Sequence, residues 1–380
     1  MCLSKLANGV FCTIQRWGRP IVLSEGQDNR KLKRVGEGLR SRVTLTSDVA
    51  YKQSANSSQF IPALFYTQGQ NDYTQALELK RALIKEHEGD VLEEIIPGSE
   101  LVNERGTCYR IESLEKVRLQ TICSNKAKES LISDFKLLFG VREATENALK
   151  DGGYRTIEDL VEHNRFGEQA RRFLELIEAL DTGEIIEWIG ERFSKSHPLA
   201  LHTSGFHTPD ELLFVDIETL GLFSSPIIII GLAKSIGETL NVYQYVLRDV
   251  HEEPAALAAF LSHVDAHCAL VTYNGRTFDV PYLEQRLAYY QIHGDLHRAH
   301  FDALHFARRK WHGVMPDFRL FTIQKHLLGA RETDIPGALV PEFYETYLRT
   351  QNIGPLLAVI EHNRQDLVAL AHIFSKLCEG

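Results

Sequence analysis

At 380 residues, with 44% hydrophobic and 24% charged residues and a formal net charge of −9, the chain has the composition of a folded protein of two or three domains. Disordered, collagen-like and coiled-coil classes are excluded. Six cysteines, at positions 2, 12, 108, 123, 268 and 378, form no Cys-x-x-Cys pair, and no signal peptide is expected ahead of them. That usage predicts a reduced, cytoplasmic setting and no cysteine-built zinc site. No apolar run approaches the roughly 20 residues that span a bilayer, so no membrane partner is expected. The acidic balance does not exclude nucleic acid, because an acidic metal site brings its own cations.

In chain order, residues 1–128 read as a poorly defined accessory region. Its basic stretch "NRKLKRVGEGLRSR" (29–42) suits a solvated arm. "YTQALELKRALIKEH" (73–87) has helical periodicity, and "PGSELVNERGTCYRIES" (97–113) has the turn residues and alternation of a hairpin.

Residues 129–195 read as a helical module resembling helix-hairpin-helix units that grip nucleic-acid backbones. In "LLFGVREATENALKDGGYRTIEDLVEH" (137–163) a turn at Gly140 leads into a helix ending at "DGG". Thr156 and Asp159 have capping-box spacing. Arg142 stands where such hairpins often carry a second glycine, and both a nucleic-acid-binding and a purely structural role stay open. "SKSHPLALHTSGFHTP" (194–209) reads as a linker.

From residue 209 to 380 the pattern becomes α/β. "LLFVDIET", "PIIIIGLAKS" and "LNVYQYVL" predict an antiparallel meander. "EEPAALAAFLSHV" predicts a helix, and "CALVTYNG" a fourth strand parallel to the first. The remainder is expected to be mainly helical. This is the layout of a ribonuclease-H-like mixed sheet with flanking helices.

On the first strand, the two-residue side-chain period turns Asp216 and Glu218 to one face and Val215 and Ile217 to the other. Like charges at that spacing repel unless an exposed edge, a bound cation or a basic partner relieves them. Asp279 follows the fourth strand, and Asp366 lies on the last helix one turn after His362. Four carboxylates and a histidine from separate segments suit two hard divalent cations that clamp a phosphodiester.

"DIET" (216–219), "NGRTFD" (274–279) and "HNRQD" (362–366) together resemble the three motifs of the DEDD (DnaQ-like) 3′→5′ exonuclease superfamily. With "HFDALHFARRKW" and "LLGARETDIPGA" between them, the pattern looks like its YprB-like, ribonuclease-H-like branch. The resemblance implies a 3′→5′ exonuclease acting on the 3′ end of DNA or RNA with two Mg²⁺ or Mn²⁺ ions. Asp216, Glu218, Asp279 and Asp366 would be the metal ligands and His362 the general base. His362 stands four residues before Asp366, the spacing of the superfamily's tyrosine subclass, so it takes the tyrosine's slot.

Several nearby residues carry two readings each. Asn274 would touch substrate or orient Asp279, or simply make an Asn-Gly turn. Arg276 would contact a phosphate or be solvated. Asp302 would steady a ligand or cap a helix. Phe278 is expected in the core. The alternative to an enzyme is a nucleic-acid-binding or scaffolding protein that keeps the fold without turnover.

Overall fold

Alternation in "GSELVN" and "GTCYRIESLE" produces strands β1 (Gly98–Asn103) and β2 (Gly106–Glu115), paired as the expected hairpin. The hairpin is no separate module, since β2 lies antiparallel against a strand more than a hundred residues later. The computed structural model describes residues 63–222, 225–329 and 335–379, with side chains from residue 73. Readings placed on residues 1–62, the basic arm among them, lie outside the described residues.

The meander forms as its β-branched runs predict: β3 (Leu212–Thr219), β4 (Ile227–Ile236) and β5 (Thr239–Val246) are antiparallel neighbours. A helix with Pro254 in its first turn, Glu253–Leu261, carries the chain over to β6 (Ala269–Thr272), parallel to β3. A three-residue strand, β7 (His300–Asp302), adds parallel to β6. The mixed seven-stranded sheet runs β1-β2-β5-β4-β3-β6-β7.

Helices are numbered in chain order as α1 (Ala63–Glu86), α2 (Leu92–Ile95), α3 (Ser124–Ile132), α4 (Glu143–Asp151), α5 (Gly167–Glu178), α6 (Thr182–Gly190) and α7 (Pro198–His202). After β5 come α8 (Glu253–Leu261), α9 (Asp279–Tyr289), α10 (Ala303–Lys310), α11 (Leu320–Leu328), α12 (Val340–Thr350) and α13 (Gly354–Cys378).

Two apolar layers flank the sheet. Val215, Ile217, Ile230 and Leu232 pack on α8 and α9 through Leu257, Phe260, Leu283 and Leu287. The other face, through Phe214, Ala233 and Val242, packs on α13 and, in the same continuous cluster, on the helical module through Phe135, Leu137, Phe166 and Phe173. Phe214 meets Phe374 of α13 edge-on at 5.8 Å.

The helical module keeps its expected local features. Gly140 adopts φ +83°, a left-handed turn for which glycine has no steric cost. The Asp159 carboxylate accepts from the Thr156 N–H at 2.8 Å, as a capping box requires. Residues 194–209, in contrast, are not a loose linker. Pro198 opens α7, a 3₁₀ turn covers Thr203–Phe206, and Leu199, Ala200, Leu201, Thr203 and Ser204 are buried. Proline at a helix start is favourable, and the apolar "PLAL" belongs to a packed short helix.

Candidate active site

The sequence-identified acids meet where β3, the start of α9 and the middle of α13 converge. Asp216 and Glu218 extend from the β3 face that α13 covers, while Val215 and Ile217 turn into the opposite layer. Asp279, first residue of α9, is buried, and its Oδ1 accepts from the Ile217 N–H at 3.2 Å. That bond ties the helix start to the strand between the two acids. His362 and Asp366 share one face of α13.

His362 is buried between two carboxylates: its Nε2 lies 3.7 Å from Glu218 Oε1 and 3.7 Å from Asp366 Oδ2. Gly337, in the segment before α12, comes close to the same imidazole nitrogen, and a Cβ there would stand 3.6 Å from it. Burial raises the Asp216 carboxyl well above the ordinary carboxylate range, and the negative charges of Glu218, Asp366 and Asp279 add to the rise. Asp279 is raised as well, by burial first and by Asp302 and Asp366, against the lowering effect of its backbone hydrogen bonds. Asp216 is thus close enough to Glu218, Asp279, Asp366 and His362 to feel the charge of each.

The donor chemistry is that of hard divalent cations: buried and half-buried carboxylate oxygens from three elements. As placed, no three His, Cys, Asp or Glu side chains among the described residues converge into a ready ligand set. Should ions bind, Asp216, Glu218, Asp279 and Asp366 are the residues to hold them.

The residues with double readings lie in and beside one loop. Asn274 has φ +67°, and its side-chain oxygen accepts from Thr277 Oγ1 at 3.0 Å, the local economy of an Asn-Gly turn. Asp302 does two things at once. It caps α10 by accepting from the Leu304 N–H, and it receives the N–H groups of Asn274 at 2.8 Å and Arg276 at 3.2 Å. The 274–276 loop, and through it the start of α9, is thereby fixed. Arg276 is not a freely solvated arginine, since its Nη2 donates to the His300 carbonyl at 2.5 Å. Phe278 packs against the α8–α9 layer as expected.

Sequence reasoning missed Asn363. Fully buried beside His362, it donates from Nδ2 to the Asp216 carboxylate at 2.8 Å and to the Asp216 carbonyl at 3.1 Å. Its Oδ1 accepts from Gln244 of β5 at 2.9 Å. Nothing in a one-dimensional pattern connects residues 216, 244 and 363.

Comparison with known proteins bears on the fold. An RNase_H superfamily model matches residues 213–378, the segment that carries every one of these side chains. That segment is a ribonuclease-H-superfamily domain, and its likeness is to the YprB branch. YprB of Bacillus subtilis (strain 168), itself described as uncharacterized, is 35% identical over 176 residues. The match covers 44% of this chain and 42% of that protein, so the chain spans well under half the length of its relative. The family B DNA polymerase of the hyperthermophilic archaeon Pyrobaculum calidifontis is similar over 42% of this chain and 24% of its own. At 17% identity and a TM-score of 0.34, that likeness carries no argument.

Proposed function

We propose that this protein is a divalent-metal-dependent 3′→5′ exonuclease hydrolysing phosphodiester bonds of DNA or RNA in the cytoplasm. One observation carries the reading: Asp216, Glu218, Asp279 and Asp366, from β3, α9 and α13, come together with His362 in a half-buried place where the acids repel one another.

Two bound Mg²⁺ or Mn²⁺ ions would supply an activated water and stabilise the leaving oxygen. The four acids would hold them. His362, with Nε2 between Glu218 and Asp366, takes the proton of the attacking water; an imidazole does so well near neutral pH. Asp302 holds the loop that sets Asp279. Asn274 and Arg276, on that loop, are the proposed contacts to the substrate strand.

The second reading is a nucleic-acid-binding protein that keeps the fold without turnover. Linear and circular single strands of the same DNA and RNA sequences, 5′-labelled where linear, test the exonuclease with Mn²⁺ present. The expected result is a ladder that shortens from the 3′ end and an untouched circle. Cutting of the circle would make the enzyme an endonuclease, and cutting of neither would leave the binding reading.

A further inference from the structure

Asp216, Gly231 and Gln244 stand opposite one another on β3, β4 and β5. Residues in register across neighbouring strands present their side chains to one face, so this row offers a carboxylate, a gap and a carboxamide. Asn363 of α13 occupies the gap. A side chain at position 231 would collide with its carboxamide, which makes glycine the residue that admits it.

The hydrogen bonds fix which way the Asn363 amide faces. The Ile360 carbonyl can only accept, so the nitrogen of Gln244 faces it, at 2.8 Å. The same Gln244 nitrogen donates to Asn363 Oδ1 at 2.9 Å. Asn363 Nδ2 is then left facing Asp216, with one hydrogen for the backbone carbonyl and one for carboxylate Oδ2. Turning the amide over would set oxygen against two oxygens and nitrogen against nitrogen. Asn363 Oδ1 and both Nδ2 hydrogens are engaged, and both carboxamides are buried.

We infer that Asn363 is a positioning residue for the exonuclease reaction, holding the Asp216 carboxylate in the orientation that metal binding needs. The inference rests on the exonuclease reading above. Gly231 provides the room and Gln244 sets the sense of the amide. Because His362 and Asp366 flank Asn363 on α13, the same side chain locks the strand half of the site to the helix half. Partners that orient a ligating group are worth about 10–100-fold in metal affinity.

The test measures Mn²⁺ binding to the full chain by calorimetry, with single-turnover cleavage and thermal melting in parallel. The proteins are wild type, Asp216→Ala, Asn363→Ala and Gln244→Ala. Asn363→Ala is expected to weaken Mn²⁺ binding by about 10–100-fold with the fold retained by near-ultraviolet circular dichroism, and Gln244→Ala to shift it the same way by less. Mn²⁺ affinity within twofold of wild type in the folded variants, with only a lower melting temperature, would overturn the inference and leave Asn363 a packing residue. Should Asn363→Ala not fold, Gln244→Ala decides on the same criterion. If wild type and Asp216→Ala bind Mn²⁺ equally and neither cleaves, the exonuclease reading itself has failed and this inference with it. If Asp216 is needed for binding and cleavage while the two carboxamides are not, the inference fails alone.

Discussion

His362 lies 3.7 Å from two of the four acids, and its removal tests the proton-transfer role apart from metal holding. His362→Ala is expected to slow cleavage by about 10²–10⁴-fold while Mn²⁺ affinity changes far less, as single-turnover rates and calorimetry would show. An unchanged rate would remove it as the base. The acids were legible at this scale because a strand has a period of two and a helix stacks positions i and i+4. Spacing alone puts Asp216 with Glu218 and His362 with Asp366 on shared faces, but only the three motifs in order point to a site. Asn363 has no such signal: beside a histidine on a helix it reads as one more polar residue. Gly231 and Gln244 lie within strands and carry no motif of their own. Their meaning exists only in the register of three strands and the helix laid over them.

Among the elements, the meander, the crossover helix and the parallel fourth strand form as their hydrophobic runs predict, and α9 begins at Asp279. β7 was not legible, since three residues make no periodic pattern and its pairing with β6 is non-local. The joining of β2 to β5 was hidden for the same reason. Residues 194–209 misled because Pro, Ser and Gly mark both linkers and tightly capped short helices. The position of α9 depends on a buried pair that local sequence does not reveal. Arg286 of α9 donates to Glu253 at the start of α8 through Nε at 2.7 Å and Nη2 at 2.5 Å. Glu253 also accepts from the Ile227 N–H of β4 and from the Tyr290 hydroxyl. With 5% and 0% of their side chains exposed, neither partner tolerates loss of the other. Glu253→Ala is expected to lower stability by about 3–5 kcal/mol in urea unfolding, because it takes the carboxylate partner from a buried guanidinium. A change below about 1 kcal/mol would mean the pair is dispensable.

For the whole molecule, the described residues share layers that cross the regional boundaries drawn from sequence. The helical module contributes Phe135, Phe166 and Phe173 to the cluster that holds Phe214, Phe301 and Phe374. Removing residues 131–193 is therefore expected to yield an insoluble or molten chain rather than a trimmed nuclease, checked by near-ultraviolet circular dichroism and melting of the deletion. No helix among the described residues is long and apolar enough to cross a membrane. A pH effect on stability should arise away from the site. Burial, then Lys234 and Arg110, lowers His263 to about 4, and its Nε2 sits 2.7 Å from the Tyr245 hydroxyl, with Tyr243 beside it. The unfolded imidazole titrates near pH ~6.5. Between those values the unfolded chain binds the extra proton, so the contribution of neutral His263 is intact above about pH 6.5 and lost as pH falls toward 4. Relative to His263→Gln, wild type is expected to lose melting temperature between pH 7 and 4.5 by calorimetry, and a constant difference would contradict this. The central claim, that the crowded acids form a metal-dependent hydrolytic centre, is tested most directly by one time course. Labelled single-stranded and duplex DNA and RNA are incubated with wild type or Asp216→Ala in Mn²⁺, Mg²⁺ or EDTA. Cleavage by wild type with either ion, abolished by EDTA and by the substitution, is the expected result. Cleavage that survives either, or no cleavage of any substrate that the wild type binds, would contradict it.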